Sequence, residues 1–331
     1  MSLVSVVIAV YNGQNVIRKA ICSVQNQSYK NIEIIVVDDG SSDKTYSIVK
    51  EMADFDCRIK LIKQTNSGVS AARNKGMENA SGEYICFLDA DDTYSVEYVE
   101  QMINCMREYA CQLVICGYIE GNKEWKYNKS GVFLGQSISE EVFLLGNNHR
   151  IFNPCWNKMF MLNVIKKYDV KIPVGMKMGE DEEFVLRYIV HVSEFFVLDK
   201  AIYNYSINDT SVTSKPFKIE WAFDQERIYA IWQSYFEHYG MNASKLNRYI
   251  VHECFMVSVR IMSSNPVNAA SKVCAEIFDS TRMKNAASAL HGTEGNFFVA
   301  KMVNRNQKAK YLMLCFAMGM IRKAKRKILR G

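Results

Sequence analysis

The strongest constraint on the fold is an alternation. Over about 120 residues, five short apolar runs rich in β-branched side chains alternate with segments of helical spacing. The runs are residues 3–10, 32–37, 59–62, 83–88 and 113–116, and the spaced segments lie near 16–24, 46–52, 69–77 and 96–106. Runs with no polar face read as strands covered on both sides, as in a parallel sheet. Strand-helix repeats of this length imply right-handed crossovers, hence an α/β domain built on a mostly parallel sheet flanked by helices. In such a sheet the polar groups at successive strand ends meet along one edge, where ligands bind. That edge would gather Tyr11, Asn12, Asp38, Asp39, Asn66, Asp89 and Asp91, which are far apart in sequence.

The most acidic of these ends is Cys86-Phe87-Leu88-Asp89-Ala90-Asp91-Asp92, an apolar run closed by three carboxylates within four positions. Two carboxylates at spacing i, i+2 suit a hard divalent cation that also grips diphosphate oxygens. The same residues also fit a plain strand-end turn in which Asp92 caps the following helix. Neither a GxGxxG turn nor a GxxxxGK[ST] loop is present, which argues against dinucleotide dehydrogenases and P-loop NTPases. Phosphates would be handled chiefly through a metal ion and acidic residues. Four acids, Glu180 to Glu183, open another helix; the macrodipole accounts for some of them, and one is placed to act as a general base. The aromatics Trp125, Tyr127 and Phe133 fall in an irregular stretch, suited either to stacking on sugar rings or to packing as a surface hairpin. Residues 195–198 and 201–205 read as a hairpin.

Beyond residue 218 the period becomes helical, over 219–239, 245–262, 267–277 and 297–329, which gives a domain organisation of 1–215 and 216–331. The net charge of +6 is uneven: residues 322–330 hold six basic side chains and no acid. Next to an apolar stretch about half a bilayer span long, this fits an interfacial helix on an anionic leaflet or a solvated terminus, with nucleic acid disfavoured. The Met- and aromatic-rich helices are also suited to a homodimer interface. Ten cysteines without CxxC, many inside apolar patterns, read as reduced core residues, and five scattered histidines argue against zinc. With no secretory signal at the N-terminus, the expected location is the cytoplasm, peripheral on the inner face of the membrane.

Four motifs then occur in order: residues 4–12 (Val-Ser-Val-Val-Ile-Ala-Val-Tyr-Asn), 37–43 (Val-Asp-Asp-Gly-Ser-Ser-Asp), 66–74 (Asn-Ser-Gly-Val-Ser-Ala-Ala-Arg-Asn) and 87–92 (Phe-Leu-Asp-Ala-Asp-Asp). Together with Cys155-Trp156-Asn157-Lys158, residues 179–184 and residues 203–213, they strongly resemble glycosyltransferase family 2, of GT-A fold, over about the first 215 residues. The resemblance implies an inverting, metal-dependent enzyme that passes a sugar from a UDP-sugar to a glycan hydroxyl. The acceptor it implies is lipid-linked, in capsule, O-antigen or other bacterial surface-polysaccharide synthesis. It implies that Asp39 reads the base, that Tyr11 and Arg73 line the base and ribose pocket, and that Asp89 touches ribose and sugar. Asp91 would ligate Mn2+ or Mg2+ on the diphosphate, and Asp181 would be the catalytic base. Ala9, Asn12, Asn66 and Ala90 complete the nucleotide-sugar set, and Trp156, Lys158 and Glu180 fall on the sugar or acceptor side. Ser206 stands where many relatives carry arginine or histidine, so a diphosphate contact there is not expected. A dTDP-sugar is the rival donor; a non-catalytic glycan-binding scaffold and a nucleotidyltransferase are the rival classes.

Overall fold

A computed structural model of the chain describes all residues except 128, 135–150, 208–215, 291–297 and 329–331, and no side chain of 326–328 or of Phe223. The expected turn after residue 207 and the basic residue Arg330 therefore lie outside the described residues. The chain divides into two compact units, Met1–Asn208 and Asp209–Gly331.

In the first unit, strands β1 (Val4–Val10), β2 (Ile32–Asp38), β3 (Ile59–Lys63) and β4 (Tyr84–Asp89) pair in parallel in the order β3-β2-β1-β4. Helices α1 (Ile17–Gln25), α2 (Thr45–Phe55) and α3 (Val69–Asn79) make the crossovers. β1 and β2 are almost wholly buried, which is why their sequences lack a polar face. The short β5 (Thr93–Tyr94) and α4 (Tyr98–Glu108) lead into β6 (Leu113–Glu120).

The second half of the sheet is mixed. β9 (Lys158–Met161) runs antiparallel between β4 and β6, and β10 (Glu194–Tyr205) lies parallel to β6. Four residues directly before a helix, α5 (Leu162–Lys167), carry no readable alternation, so β9 was not expected from sequence. The expected hairpin over 195–205 is instead the single strand β10. Its polar pair Asp199-Lys200 sits where the register with β6 shifts, a bulge that absorbs the interruption without reversing the chain. The irregular stretch after residue 118 is partly ordered: β7 (Lys123–Trp125) folds back on β6, and β8 (Gly131–Leu134) pairs with β10. Trp125 stacks on Tyr118 with ring centroids 6.2 Å apart, so it packs on the sheet. Helix α6 (Glu180–Ile189) lies across β4 and β9, its Phe184 ring 5.8 Å from Phe87 and 5.3 Å from Phe160. This contact fixes the α6 N-terminus at the acidic edge.

The second unit is helical: α7 (Trp221–His238), α8 (Ala243–Ser264), α9 (Val267–Asp279), α10 (Thr281–Ser288), α11 (Phe298–Asn304) and α12 (Lys308–Ile328). The one long helix expected over 297–329 is two, separated where Asn306 takes a left-handed φ of 51°. Among the described residues, no helix is long and apolar enough to cross a membrane.

Candidate active site

Register assembles the site. Val10 at the end of β1 pairs with Asp38 of β2, and Ala9 pairs with Asp89 of β4, so the two carboxylate-bearing ends flank the end of β1. Tyr11 follows at the rim, 55% exposed. Asn12 takes a left-handed φ of 50° and accepts from the Ser42 N–H at 2.9 Å, while its own N–H donates to Ser41 Oγ at 2.9 Å. These bonds tie the first turn to the second. Asp38 accepts from the Ser41 N–H at 3.0 Å, and its Oδ2 is buried with no protein donor among the described residues.

Asp39 is buried, and both its oxygens are engaged. Oδ1 accepts from Gln64 Nε2 at 2.7 Å and the Ser67 N–H at 2.8 Å, and Oδ2 accepts from the Gly68 N–H at 2.8 Å. It therefore pins the loop that holds exposed Asn66 over the edge, a task its motif does not disclose. Gly40, at φ +76°, lies under this loop: a Cβ there would be 2.8 Å from the Asn66 nitrogen.

At the centre is Arg73 of α3, buried, with Nη2 2.6 Å from Asp89 Oδ1 and Nη1 2.8 Å from Asp181 Oδ1. The expected wall of a base pocket is thus a cationic bridge between the end of β4 and the start of α6. Asp181 also accepts from the Cys155 N–H at 3.3 Å and lies 3.4 Å from its Sγ. Burial raises the Asp89 carboxyl, Arg73 pulls it back and Asp181 adds to the push, with the balance upward. Burial, then the neighbouring Asp181 charge, brings Glu180 up to about 7, into the range of a working acid or base.

The two remaining strand-end acids differ. Asp92 accepts from Tyr203 Oη at 2.6 Å and the Ser206 N–H at 2.7 Å, and burial followed by the Asp89 charge lifts it to about 8. It fastens β10 to the acidic turn and caps no helix, for α4 starts only at Tyr98. Ser206 thus contributes its backbone to this turn. Ala90 and Asp91 stay half-buried at the edge. Among the described residues no group of three or more His, Cys, Asp or Glu side chains could cage a metal. The donor set fits a Mg2+ or Mn2+ that takes one or two carboxylates here, with the remaining ligands from diphosphate and water.

Lys158 corrects an expectation. Its side chain is fully buried, with Nζ donating to Ile151 O at 2.9 Å, Pro154 O at 2.5 Å and Asn157 Oδ1 at 2.8 Å, and burial lowers its ammonium to about 7. It holds the 151–157 loop from beneath and presents no charge to a sugar. Trp156 on that loop is nearly buried, stacked on Tyr203 at 4.3 Å and Tyr205 at 5.7 Å. Cys155, Gln64 and the Tyr203 hydroxyl were not anticipated as site residues. Tyr203 had a signal in its Tyr-x-Tyr setting and Cys155 in the Cys-Trp-Asn-Lys motif, but neither motif tells that Cys155 meets Asp181 through its N–H and Sγ.

A parallel α/β half with acidic strand ends, extended by an antiparallel strand that seats a second acidic helix, is a GT-A fold. Staphylococcus aureus TarS solved with UDP-GlcNAc superposes with a TM-score of 0.59 at 17% identity, covering 98% of this chain and 90% of that one, which establishes the fold. The family model Glycosyl transferase family 2 matches residues 5–169. A glycosyltransferase of Haemophilus influenzae is 32% identical over 232 residues, covering 68% of this chain and 87% of that protein. GlyA of Streptococcus pneumoniae serotype 4 is 33% identical over 229 residues, 63% of this chain, which spans only 31% of GlyA's length. The chain belongs to glycosyltransferase family 2.

Proposed function

We propose that the protein is an inverting glycosyltransferase that moves a sugar from a UDP-sugar to a hydroxyl of a glycan acceptor, lipid-linked, in the assembly of a bacterial surface polysaccharide. The observation that carries this reading is the Asp89–Arg73–Asp181 bridge, which holds a candidate base beside the donor-side carboxylate. UDP-GlcNAc in TarS and the glycosyltransferase names of the relatives support the donor class and the chemistry.

In this reading Tyr11, Asn12, Asp39 and Asn66 line the nucleotide, while Ala9, Asp89 and Ala90 border ribose and sugar. Asp181 takes the proton of the acceptor hydroxyl as its oxygen attacks the anomeric carbon. The bond from that carbon to the diphosphate breaks on the opposite face, and UDP departs with the electron pair, so the configuration inverts. A Mn2+ or Mg2+ held through Asp91 would offset the charge on the departing diphosphate. Arg73 holds Asp181 in place through their 2.8 Å contact, and Trp156 walls the sugar side. One observation favours a second reading: Glu180, next to Asp181 at the start of α6 and raised to about 7, is matched to neutral pH and would itself be the base.

The test is a panel of UDP-, dTDP- and GDP-sugars with Mn2+, read by thermal shift and slow donor hydrolysis. A metal-dependent response to one UDP-sugar is expected, with Asp91→Ala abolishing it while the fold persists. Asp181→Asn should lower turnover by at least about 100-fold. Full activity in Asp181→Asn, with loss in Glu180→Gln of a rate limb rising through about pH 7, transfers the base to Glu180. A response to dTDP-sugars alone overturns the UDP assignment, release of pyrophosphate from a nucleoside triphosphate makes the protein a nucleotidyltransferase, and no response to any sugar nucleotide supports a scaffold.

A further inference from the structure

Helix α12 shows two faces of opposite character. Tyr311, Cys315 and Gly319 are buried against its own unit. Tyr311 Oη lies 2.8 Å from Ser258 Oγ of α8, and a Cβ at Gly319 would come within 2.9 Å of Met262 Cβ, so the helix seats closely and cannot roll. The outward face is therefore set by packing. It carries Met313 (65% exposed), Phe316 (41%), Met320 (51%) and Ile321 (57%), with exposed Ala317 and Ala324 completing the stripe. At 3.6 residues per turn these six span about 140° of arc and roughly 17 Å of helix, opposite the buried face. Exposed Lys323 and Lys325 flank the stripe on either side, Lys310 stands at its other end, and residues 308–331 contain no Asp or Glu.

We propose that this face of α12 is an in-plane membrane anchor that beds its apolar stripe into the surface of an anionic bilayer, with the flanking lysines reaching the lipid phosphates. An apolar strip edged by cations and free of acids is the complement of such a surface. A two-fold pairing of the same face would set Lys310, Lys323 and Lys325 of two copies together with no acid on the helix to offset them. The stripe is too short and too one-sided to span the bilayer, so the helix lies along the interface. The inference rests on this helix alone and is independent of the donor and base assigned above.

The experiment is co-sedimentation of the full chain with vesicles of phosphatidylcholine, alone or with about a third phosphatidylglycerol. Binding to the anionic vesicles is expected, weakened by salt and by Lys323→Glu with Lys325→Glu by at least about tenfold. Phe316→Glu with Met320→Glu should weaken it at least as much, leaving the melting temperature and donor hydrolysis unchanged because both positions are exposed and outside the site. Equal binding to neutral vesicles, or undiminished binding by the Phe316/Met320 variant, overturns the proposal. So does a dimer in sedimentation velocity that this variant dissolves while vesicle binding is absent.

Discussion

Arg73 donates to Asp89 and Asp181 from inside the protein, so its removal leaves two carboxylates facing each other without a cation. Arg73→Met should cost about 3 kcal/mol of stability, as for a broken buried ion pair, and at least about 100-fold in kcat through misplacement of the base. Denaturant melts and turnover on the same preparation check both. Glu33 has a different role at the far end of the sheet. Burial would raise its carboxyl, but donors from Lys60, Ser5 and Ser81 outweigh it and hold the pKa at about 2 against an ordinary 4.5. A carboxyl lowered on folding stabilises the folded state above its unfolded pKa, and that contribution is lost as pH falls from about 4.5 through about 2. Wild type should therefore exceed Glu33→Gln by about 3 kcal/mol at pH 7, the gap closing below pH 4.5 in urea melts. The sequence singled out Arg73 and Asp39 through their motifs, yet their bonding was not legible in it. A motif names a side chain and its neighbourhood, whereas which oxygens it meets depends on how closely the elements around it approach.

Helix α3 carries Arg73 to the edge because it lies unusually near β1. Its buried face is small, Ser70, Ala72 and Gly76 beside Arg73 and Met77, and a Cβ on Gly76 would stand 2.3 Å from Val7 Cγ1. Val7 is short and wedged in the sheet, so Gly76→Ala should destabilise by about 1–3 kcal/mol and push Arg73 off its partners, lowering turnover as well. Adding Val7→Ala should restore part of both losses, a coupling that a double-mutant cycle measures directly. Apart from the two-residue β5, the main strands and helices of the first 120 residues were readable at this scale because apolar runs and helically spaced segments alternate there. β9, with four residues, and the bulged β10 were not, because one is shorter than a pattern and the other is held straight only by its pairing with β6.

Across the whole chain, ten cysteines occur and none is paired in a disulfide. Burial lifts the thiols of Cys86, Cys116, Cys155, Cys254 and Cys315 above their ordinary range, while Cys57 is exposed. A thiol reagent should modify Cys57 at once in the native protein and reach all ten only in denaturant; early modification of several buried thiols would show a looser fold. The reduced-core reading of these cysteines came from their apolar settings, a local property. So did the strand-helix alternation, the acidic strand ends, the helical second unit and the basic C-terminus, since hydrophobic period and charge are written along the chain itself. What only the tertiary structure decided is contact between segments far apart in sequence: Arg73 bridging residues 89 and 181, Lys158 withdrawn beneath its loop, Asp92 bound to β10, and which face of α12 is left outward. Each depends on packing distances of a few ångströms between elements, and no one-dimensional pattern encodes those.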